Sequence, residues 1–197
     1  MTKAVLGLTV TISIQLWIVN TARRRIDVRV QEQRLLIVRP GEGRSANLGG
    51  LGVDFKVWGH QTGGRFAIVE HPIQARCLIP PHTHKMEDEL SYVLEGRVGV
   101  RVGDDEAEAG AGTYIYKPCG VPHTFWNPTD QPARLLEIIC KAGFENYFVE
   151  ISELFATGAK PGGAEHEAIA ARYNESHFMD WVPELKARYG LKLLGES

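Results

Sequence analysis

The sequence contains few cysteines. Three occur among 197 residues, Cys77, Cys119 and Cys140, and no two of them are separated by only two residues. An odd number without close pairs does not provide a disulfide framework, so the fold depends on a hydrophobic core. This composition is typical of a reducing compartment and predicts a cytoplasmic protein.

An excess of charge of either sign is also lacking. The 22 basic and 24 acidic residues leave a formal net charge of -2. Proteins that bind nucleic acid or an anionic membrane surface need clustered positive charge, and the only basic run, at residues 23–25, is short. We therefore expect neither nucleic acid nor a membrane as a partner, and we expect a small-molecule substrate.

Long hydrophobic runs are scarce. The most apolar stretch, residues 4–19, is shorter than the roughly 20 residues of a membrane-spanning helix. It lacks a clear signal-peptide cleavage site, and apolar residues alternate with Thr, Ser and Gln from Leu8 to Ile18. Strict alternation predicts a half-buried N-terminal strand. An export signal, a membrane anchor through residues 4–19 and an unstructured extension remain alternatives.

Short runs of β-branched and aromatic residues fill the middle of the chain, separated by Gly, Asp and Asn turn residues. So many short strands at close spacing predict an all-β sandwich or barrel, while residues 40–52 are predicted to form a Gly-rich loop. The predicted strands are residues 26–30, 35–38, 53–58, 65–70, 73–79, 90–94, 98–102, 113–116, 123–126 and 134–140.

The periodicity changes after residue 143. Apolar residues recur at spacings of three and four in residues 144–155, which predicts an amphipathic helix, and two further helices are predicted at 164–173 and 182–189. Phe144, Tyr147 and Phe148 either pack this tail on a sheet or cover the mouth of the barrel. His166 and His177 are interpreted as isolated surface residues and not as metal ligands.

Two histidines in the middle of the chain are separated by one residue. His82 and His84 would therefore point to the same face of a strand, and Glu89 and His123 can join them only if the chain folds back. One interpretation is a metal site. The other is a set of polar residues on a solvated sheet face.

The spacing over the whole stretch resembles that of the cupin superfamily. The first motif departs from the family pattern only at its leading position, where Arg76 replaces the usual glycine. The sequence of residues 88–96 is similar to that of the quercetin dioxygenase-like branch of small bacterial cupins. The resemblance covers roughly residues 65–140, and the matching positions are His82, His84, Glu89 and Gly96 in the first motif and Gly112, Pro118, Gly120, His123 and Asn127 in the second.

The resemblance implies a jelly-roll barrel, a double-stranded β-helix, to which the periodicity adds a small C-terminal helical extension and an N-terminal strand. We expect residues 1–52 to contain N-terminal strands and the loop, 53–143 the barrel core and 144–197 the extension. Ligands His82, His84, Glu89 and His123 would hold one divalent transition metal, Fe, Mn, Ni, Co, Cu or Zn, because imidazoles and a carboxylate suit these ions.

The implied activity is that of a dioxygenase. Such an enzyme would use O2 to cleave a small enolic or phenolic substrate, flavonol-like in the best-known members, and Glu89 would act both as ligand and as catalytic base. The same ligand set also resembles cupins that isomerise, decarboxylate or hydrolyse small molecules. A non-enzymatic small-molecule or metal-binding protein is the third alternative.

Side-chain alternation predicts which residues surround the metal. Ser91 and Val93 share the phase of Glu89, and Phe125 shares the phase of His123, so these three are the candidate pocket residues. Tyr92 and Trp126 have the opposite phase and are expected on the outer sheet or against a partner subunit.

Two further expectations concern turns and assembly. Glu87 and Asp88 are expected to be solvated, and the motif glycines to occupy turns with positive φ. An exposed alternating N-terminal strand would expose a sheet edge, which a second subunit could cover, so a homodimer is predicted.

Overall fold

The structure, a computed structural model, describes residues 35–196. The predicted strands at 4–19 and 26–30 lie outside the described residues, and dimerisation through the N-terminal strand stays a prediction. Among the described residues, no helix is both long enough and apolar enough to cross a membrane.

Thirteen strands and three α-helices form the described part of the chain, together with a short 3₁₀ helix at Gly59–Thr62. The strands are β1 Ser45–Asn47, β2 Gly52–Val57, β3 Phe66–Ile73, β4 Cys77–Leu78, β5 His82–His84, β6 Asp88–Glu95, β7 Arg97–Val102, β8 Asp105–Gly110, β9 Tyr114–Lys117, β10 His123–Trp126, β11 Ala133–Cys140, β12 Glu175–His177 and β13 Lys192–Leu193. The helices are α1 Glu145–Ala156, α2 Ala164–Arg172 and α3 Val182–Tyr189.

The strands form two sheets, which confirms the predicted jelly roll. One sheet has the order β1-β2-β3-β11-β6-β9, and the other contains β12-β5-β10-β4-β13, with β7 beside β10 and β8 beside β7. Along β3, β6 and β11 buried residues alternate with half-buried ones, as expected for strands with one face toward a core. Val69, Val93 and Leu135 are among the inward residues of that core.

Most predicted elements are confirmed within one to three residues, and β10 and α3 have the predicted bounds. The prediction was wrong at residues 35–38, which are not a strand, and in the 40–52 loop, which contains β1. The 73–79 strand is interrupted by a turn at 74–76. Strand β8 was not predicted, because its acidic sequence resembles a solvated turn.

The interrupting turn explains how the chain tolerates an arginine where the family pattern has glycine. Arg76 has a φ of 60°, a conformation that glycine adopts more easily. Its guanidinium forms a bidentate pair with Asp130, at 2.8 and 2.9 Å, and donates to the carbonyl of Tyr189. The side chain thus ties this turn to the loop after β10 and to the tail.

The predicted turn glycines are confirmed. Gly96, Gly112 and Gly120 have φ values of 75°, 89° and 77°. At Gly96 a Cβ atom would also lie 2.9 Å from the carbonyl oxygen of Pro132. A side chain at this position would be strained by its backbone conformation and by close contact.

Trp126 lies on the outer face of its sheet, as its phase predicts, and the chain's own tail covers it. The side chain is fully buried in a second apolar cluster with Leu78, Val182, Leu185 and Leu191. A Cβ atom on Gly99 would lie 2.1 Å from the Trp126 ring, so this glycine makes room for the indole. Trp126 was expected on the outer sheet or against a partner subunit. In the structure helix α3 of the same chain covers it.

Candidate metal centre

Neighbouring strands bring the four predicted ligands together. His82 on β5 is the direct partner of His123 on β10, His84 follows on the same face of β5, and Glu89 lies near the start of β6. One potential ligand atom from each residue lies within 4.8 Å of all the others. All four are buried, with 1–6% of each residue exposed, which contradicts the alternative of a solvated polar sheet face.

Backbone carbonyls orient two of the imidazoles. His82 Nδ1 lies 2.7 Å from the carbonyl oxygen of Pro80, and His123 Nδ1 lies 3.0 Å from that of Val121. A carbonyl only accepts, so each Nδ1 carries the proton and each Nε2 keeps a lone pair. This is the arrangement that a histidine ligand of a metal requires.

Buried polar atoms without partners indicate that the cluster can accept a cation. Among the described residues, neither nitrogen of His84 nor Nε2 of His123 has a hydrogen-bond partner. Buried polar atoms are rarely left unpaired unless an ion or water completes them. Three imidazoles and a carboxylate suit a divalent transition ion, so His82, His84, Glu89 and His123 fit the metal that the sequence predicts.

The three histidines differ in basicity. Burial holds the pKa of His82 well below its ordinary value, and burial also lowers the pKa of His123. At His84, burial opposes protonation, but the Glu89 carboxylate outweighs it and raises the pKa. Two imidazoles are therefore neutral and ready to bind in conditions where the third still holds a proton.

This difference predicts the pH dependence of metal binding. Below the ordinary histidine pKa of about 6.5, a metal ion must displace a proton from His84, whereas His82 and His123 remain neutral until their lower pKa values are reached. In that window the affinity should fall about tenfold per pH unit. Calorimetric titration with Co²⁺ in buffers of several pH values measures this slope. A change in affinity of 100-fold or more per pH unit would contradict the assignment.

A buried lysine that the sequence analysis missed contacts the carboxylate ligand. Lys117, at the end of β9, is 1% exposed, and its Nζ lies 2.8 Å from Glu89 Oε2 and 2.9 Å from Glu137 Oε2. Glu89 Oε1 lies 3.3 Å from His84 Nε2, and Oε2 lies 3.3 Å from His123 Nε2. Because Oε2 already accepts from Lys117, Oε1 is the freer oxygen.

The charges in this network are strongly perturbed. Burial alone would raise the pKa of Glu89, but Lys117 and His84 hold it well below its usual range. Burial would lower the pKa of Lys117, and Glu137 and Glu89 raise it instead. Burial raises the pKa of Glu137 to about 7 despite Lys117, while Ser91 donates a 2.9 Å hydrogen bond to it. The ammonium group thus keeps Glu89 ionised.

A cavity adjoins the metal cluster. Its volume is about 50 Å³, which is enough for a small number of waters. Of the three predicted pocket residues, Phe125 borders the cavity. Ser91 is buried against Glu137, and Val93 belongs to the hydrophobic core.

The first helix of the tail contributes much of the cavity wall. Phe144, Tyr147, Phe148 and Ile151 border the cavity and also belong to the hydrophobic core. The Phe144 ring lies edge-on to His84, with ring centroids 4.3 Å apart. Of the two alternatives, packing and covering the barrel mouth, packing is what these side chains show, and they line the cavity as well.

Three polar residues were misjudged from the sequence. His166 was predicted at the surface but is 3% exposed, and the side chain of His177 is 9% exposed. Both border the cavity. Glu87, expected to be solvated, is buried, whereas half-buried Asp88 accepts a hydrogen bond from the backbone N–H of Cys119. The burial of these residues depends on contacts with the folded tail and loops. No pattern in the neighbouring sequence predicts it.

Comparison with known proteins agrees with this geometry. Residues 73–139 match the model of the family described as Cupin domain, and this range contains all four clustered residues. The match covers about a third of the chain. No curated protein matches the sequence.

Solved structures share the fold. KdgF from Halomonas sp. has 12% sequence identity and a TM-score of 0.51, over 56% of this chain and 99% of that one. A predicted oxalate decarboxylase from Thermotoga maritima has 17% identity and a TM-score of 0.50, over 54% of this chain and 99% of that one. At these identities the likeness concerns the fold alone.

Proposed function

We propose that this protein is a metal-dependent dioxygenase that acts on a small enolic or phenolic compound with O2. The observation that carries the proposal is the buried cluster of three histidines and one glutamate, with unpartnered ligand nitrogens beside a cavity. A divalent ion held there would supply Lewis-acid polarisation of a bound oxygen and coordination positions for exchangeable ligands.

Glu89 is the proposed catalytic base. Its Oε2 is held by Lys117, which leaves Oε1 to take a proton. Because Lys117 keeps the pKa of Glu89 low, the carboxylate is a weak base that suits relatively acidic hydroxyl groups. Phenols, with a pKa of about 10, and enols meet this requirement better than aliphatic alcohols do.

The cavity wall favours a small unsaturated substrate. Phe125, Phe144 and Phe148 border the space together with aliphatic side chains, so aromatic stacking is available. The cavity volume of about 50 Å³ is smaller than the roughly 150 Å³ of a cavity that holds benzene, so even one ring would have to widen it. A three-ring flavonol exceeds this space, so we propose a one-ring substrate.

A non-oxidative reaction, such as isomerisation or decarboxylation, is the second candidate. A specific observation favours it, because Tyr147, Glu175 and His177 also border the cavity. These groups can transfer protons, which such reactions need and oxygen insertion does not.

Oxygen uptake distinguishes the two candidates. The purified protein is loaded in turn with Fe²⁺, Mn²⁺, Co²⁺, Ni²⁺, Cu²⁺ and Zn²⁺ and assayed in an oxygen electrode against one-ring phenols and enols. We expect O2 consumption that matches substrate loss and stops after chelation of the metal. Turnover under strict anaerobiosis would replace the dioxygenase assignment with a non-oxidative one, and binding without turnover would indicate a binding protein.

A further inference from the structure

The tail adds a strand to the sheet that carries the metal ligands. β12 pairs antiparallel with β5, so that Glu175 is the partner of His84 and His177 is the partner of His82. Directly paired residues of neighbouring strands point to the same face. Glu175 and His177 consequently share the inward face of the histidine ligands, and both border the cavity.

Hydrogen bonds fix the role of His166 in the same region. The backbone N–H of Gly162 donates to His166 Nδ1 at 2.9 Å, and His166 Nε2 lies 2.7 Å from the Tyr147 hydroxyl. In the neutral ring Nε2 therefore carries the proton and donates a hydrogen bond to the Tyr147 oxygen. With both nitrogens engaged, His166 serves as a structural support and does not offer a lone pair to a metal ion.

The Tyr147 hydroxyl faces the Glu175 carboxylate, and one oxygen of that carboxylate still has no hydrogen-bond partner among the described residues. Glu175 is 6% exposed, and its Oε1 lies 3.4 Å from His177 Nε2. Its Oε2 is buried without a hydrogen-bond partner in the part of the chain that the structure describes. A buried carboxylate oxygen without a donor is costly, and the cavity beside it can bring a donor in a ligand.

We propose that Glu175 forms a second polar subsite, which accepts a hydrogen bond from a hydroxyl group at the far side of the substrate ring. This inference rests on the proposed function, since the metal centre would hold the first hydroxyl. Glu175 is the direct strand partner of His84 and both border the cavity, so one small ring in the cavity can face the metal ligands and Glu175. His177 partly balances the charge of Glu175, which favours a neutral hydroxyl over a cation. The substrate class is thus a one-ring compound with two separated hydroxyl groups.

Resorcinol and phenol form a matched pair of probes. Both bind a metal through one oxygen, and the 1,3-placement in resorcinol prevents chelation by its two hydroxyls. Binding to the Co²⁺-loaded full-length protein is followed anaerobically through the visible absorption of Co²⁺. Because a hydrogen bond to a charged group is strong, resorcinol should bind the wild type about tenfold more tightly than phenol.

The variants test the assigned residue. Glu175→Leu should remove the preference for resorcinol and Glu175→Gln should reduce it, while phenol affinity stays within about twofold. Glu165→Gln, on the exposed face of α2, is the matched control and should keep the wild-type preference. Thermal melting checks folding, and the glutamine variant, which keeps the side-chain shape, serves if the leucine variant is unfolded.

Three results would overturn the subsite: equal affinities in the wild type, an unchanged preference in folded Glu175 variants, or binding of neither probe to Co²⁺-loaded wild type. If the protein is not a dioxygenase, the oxygen electrode will show no O2 uptake. The anaerobic binding measurement does not depend on that result. Failure of the metal centre is visible earlier still, as absence of Co²⁺ binding.

Discussion

Lys117→Met is expected to destabilise the metal-free protein by about 3–5 kcal/mol. The lysine is 1% exposed and contacts both Glu89 and Glu137. Methionine keeps most of the side-chain volume but leaves two buried carboxylates without their cation. Denaturant unfolding after chelation gives the free energy of unfolding.

Two companion variants make the Lys117 result interpretable. Lys160→Met, at an exposed position, should change the free energy of unfolding by no more than about 0.5 kcal/mol. Adding Glu137→Leu to Lys117→Met removes one of the two stranded acids and should restore part of the loss. A Lys117→Met protein within 1 kcal/mol of the wild type, on the scale of ordinary surface changes, would show that the network is not held by this charge.

The second large effect concerns Glu89→Gln. The amide can still occupy the ligand position and accept from Lys117, so part of the metal affinity should remain. It cannot take a proton, so turnover should fall by about 100-fold or more. Metal content and oxygen uptake of the same preparation separate the two effects.

Neighbouring acids provide the controls for Glu89. Glu87→Gln and Asp88→Asn change carboxyl groups within two residues of it and should keep most of the metal affinity and turnover. Near-normal turnover in Glu89→Gln would mean that another group removes the proton. A loss confined to Asp88→Asn would mean that the register of β6 was misread.

The core of the site could be predicted because its signals are local. One residue separates His82 and His84, which fixes their common face, and turn residues mark the strands that return His123 to them. Strand β10 has the predicted bounds because it is short, aromatic and preceded by a Pro-containing turn. The choice of Glu89 over Asp88 follows from alternation along β6, where Glu89 is buried and Asp88 is half-buried.

Other features depend on contacts between distant parts of the chain. Strand β12 is three residues long and polar, and it forms because β5 offers a sheet edge. The burial of His166 likewise follows from packing of α2 against α1. Sequence periodicity carries no information about such pairings.

Lys117 and Glu137 were missed although a weak signal exists. Glu137 interrupts the inward apolar series of Ala133, Leu135 and Ile139 on β11. A lone charged residue in the buried phase of a strand requires a partner. What the sequence does not reveal is that Lys117 supplies this partner and also reaches Glu89.

Metal content measured on the purified full-length protein tests the central claim most directly. We expect about one divalent transition ion per wild-type chain, and none in a folded His82→Ala/His123→Ala variant, because two of the four buried ligands are then lost. His60→Ala, a histidine exposed in the 3₁₀ helix, should retain the wild-type content. A wild type that binds no transition metal on reconstitution, or a double variant that keeps its ion, would contradict the metal centre.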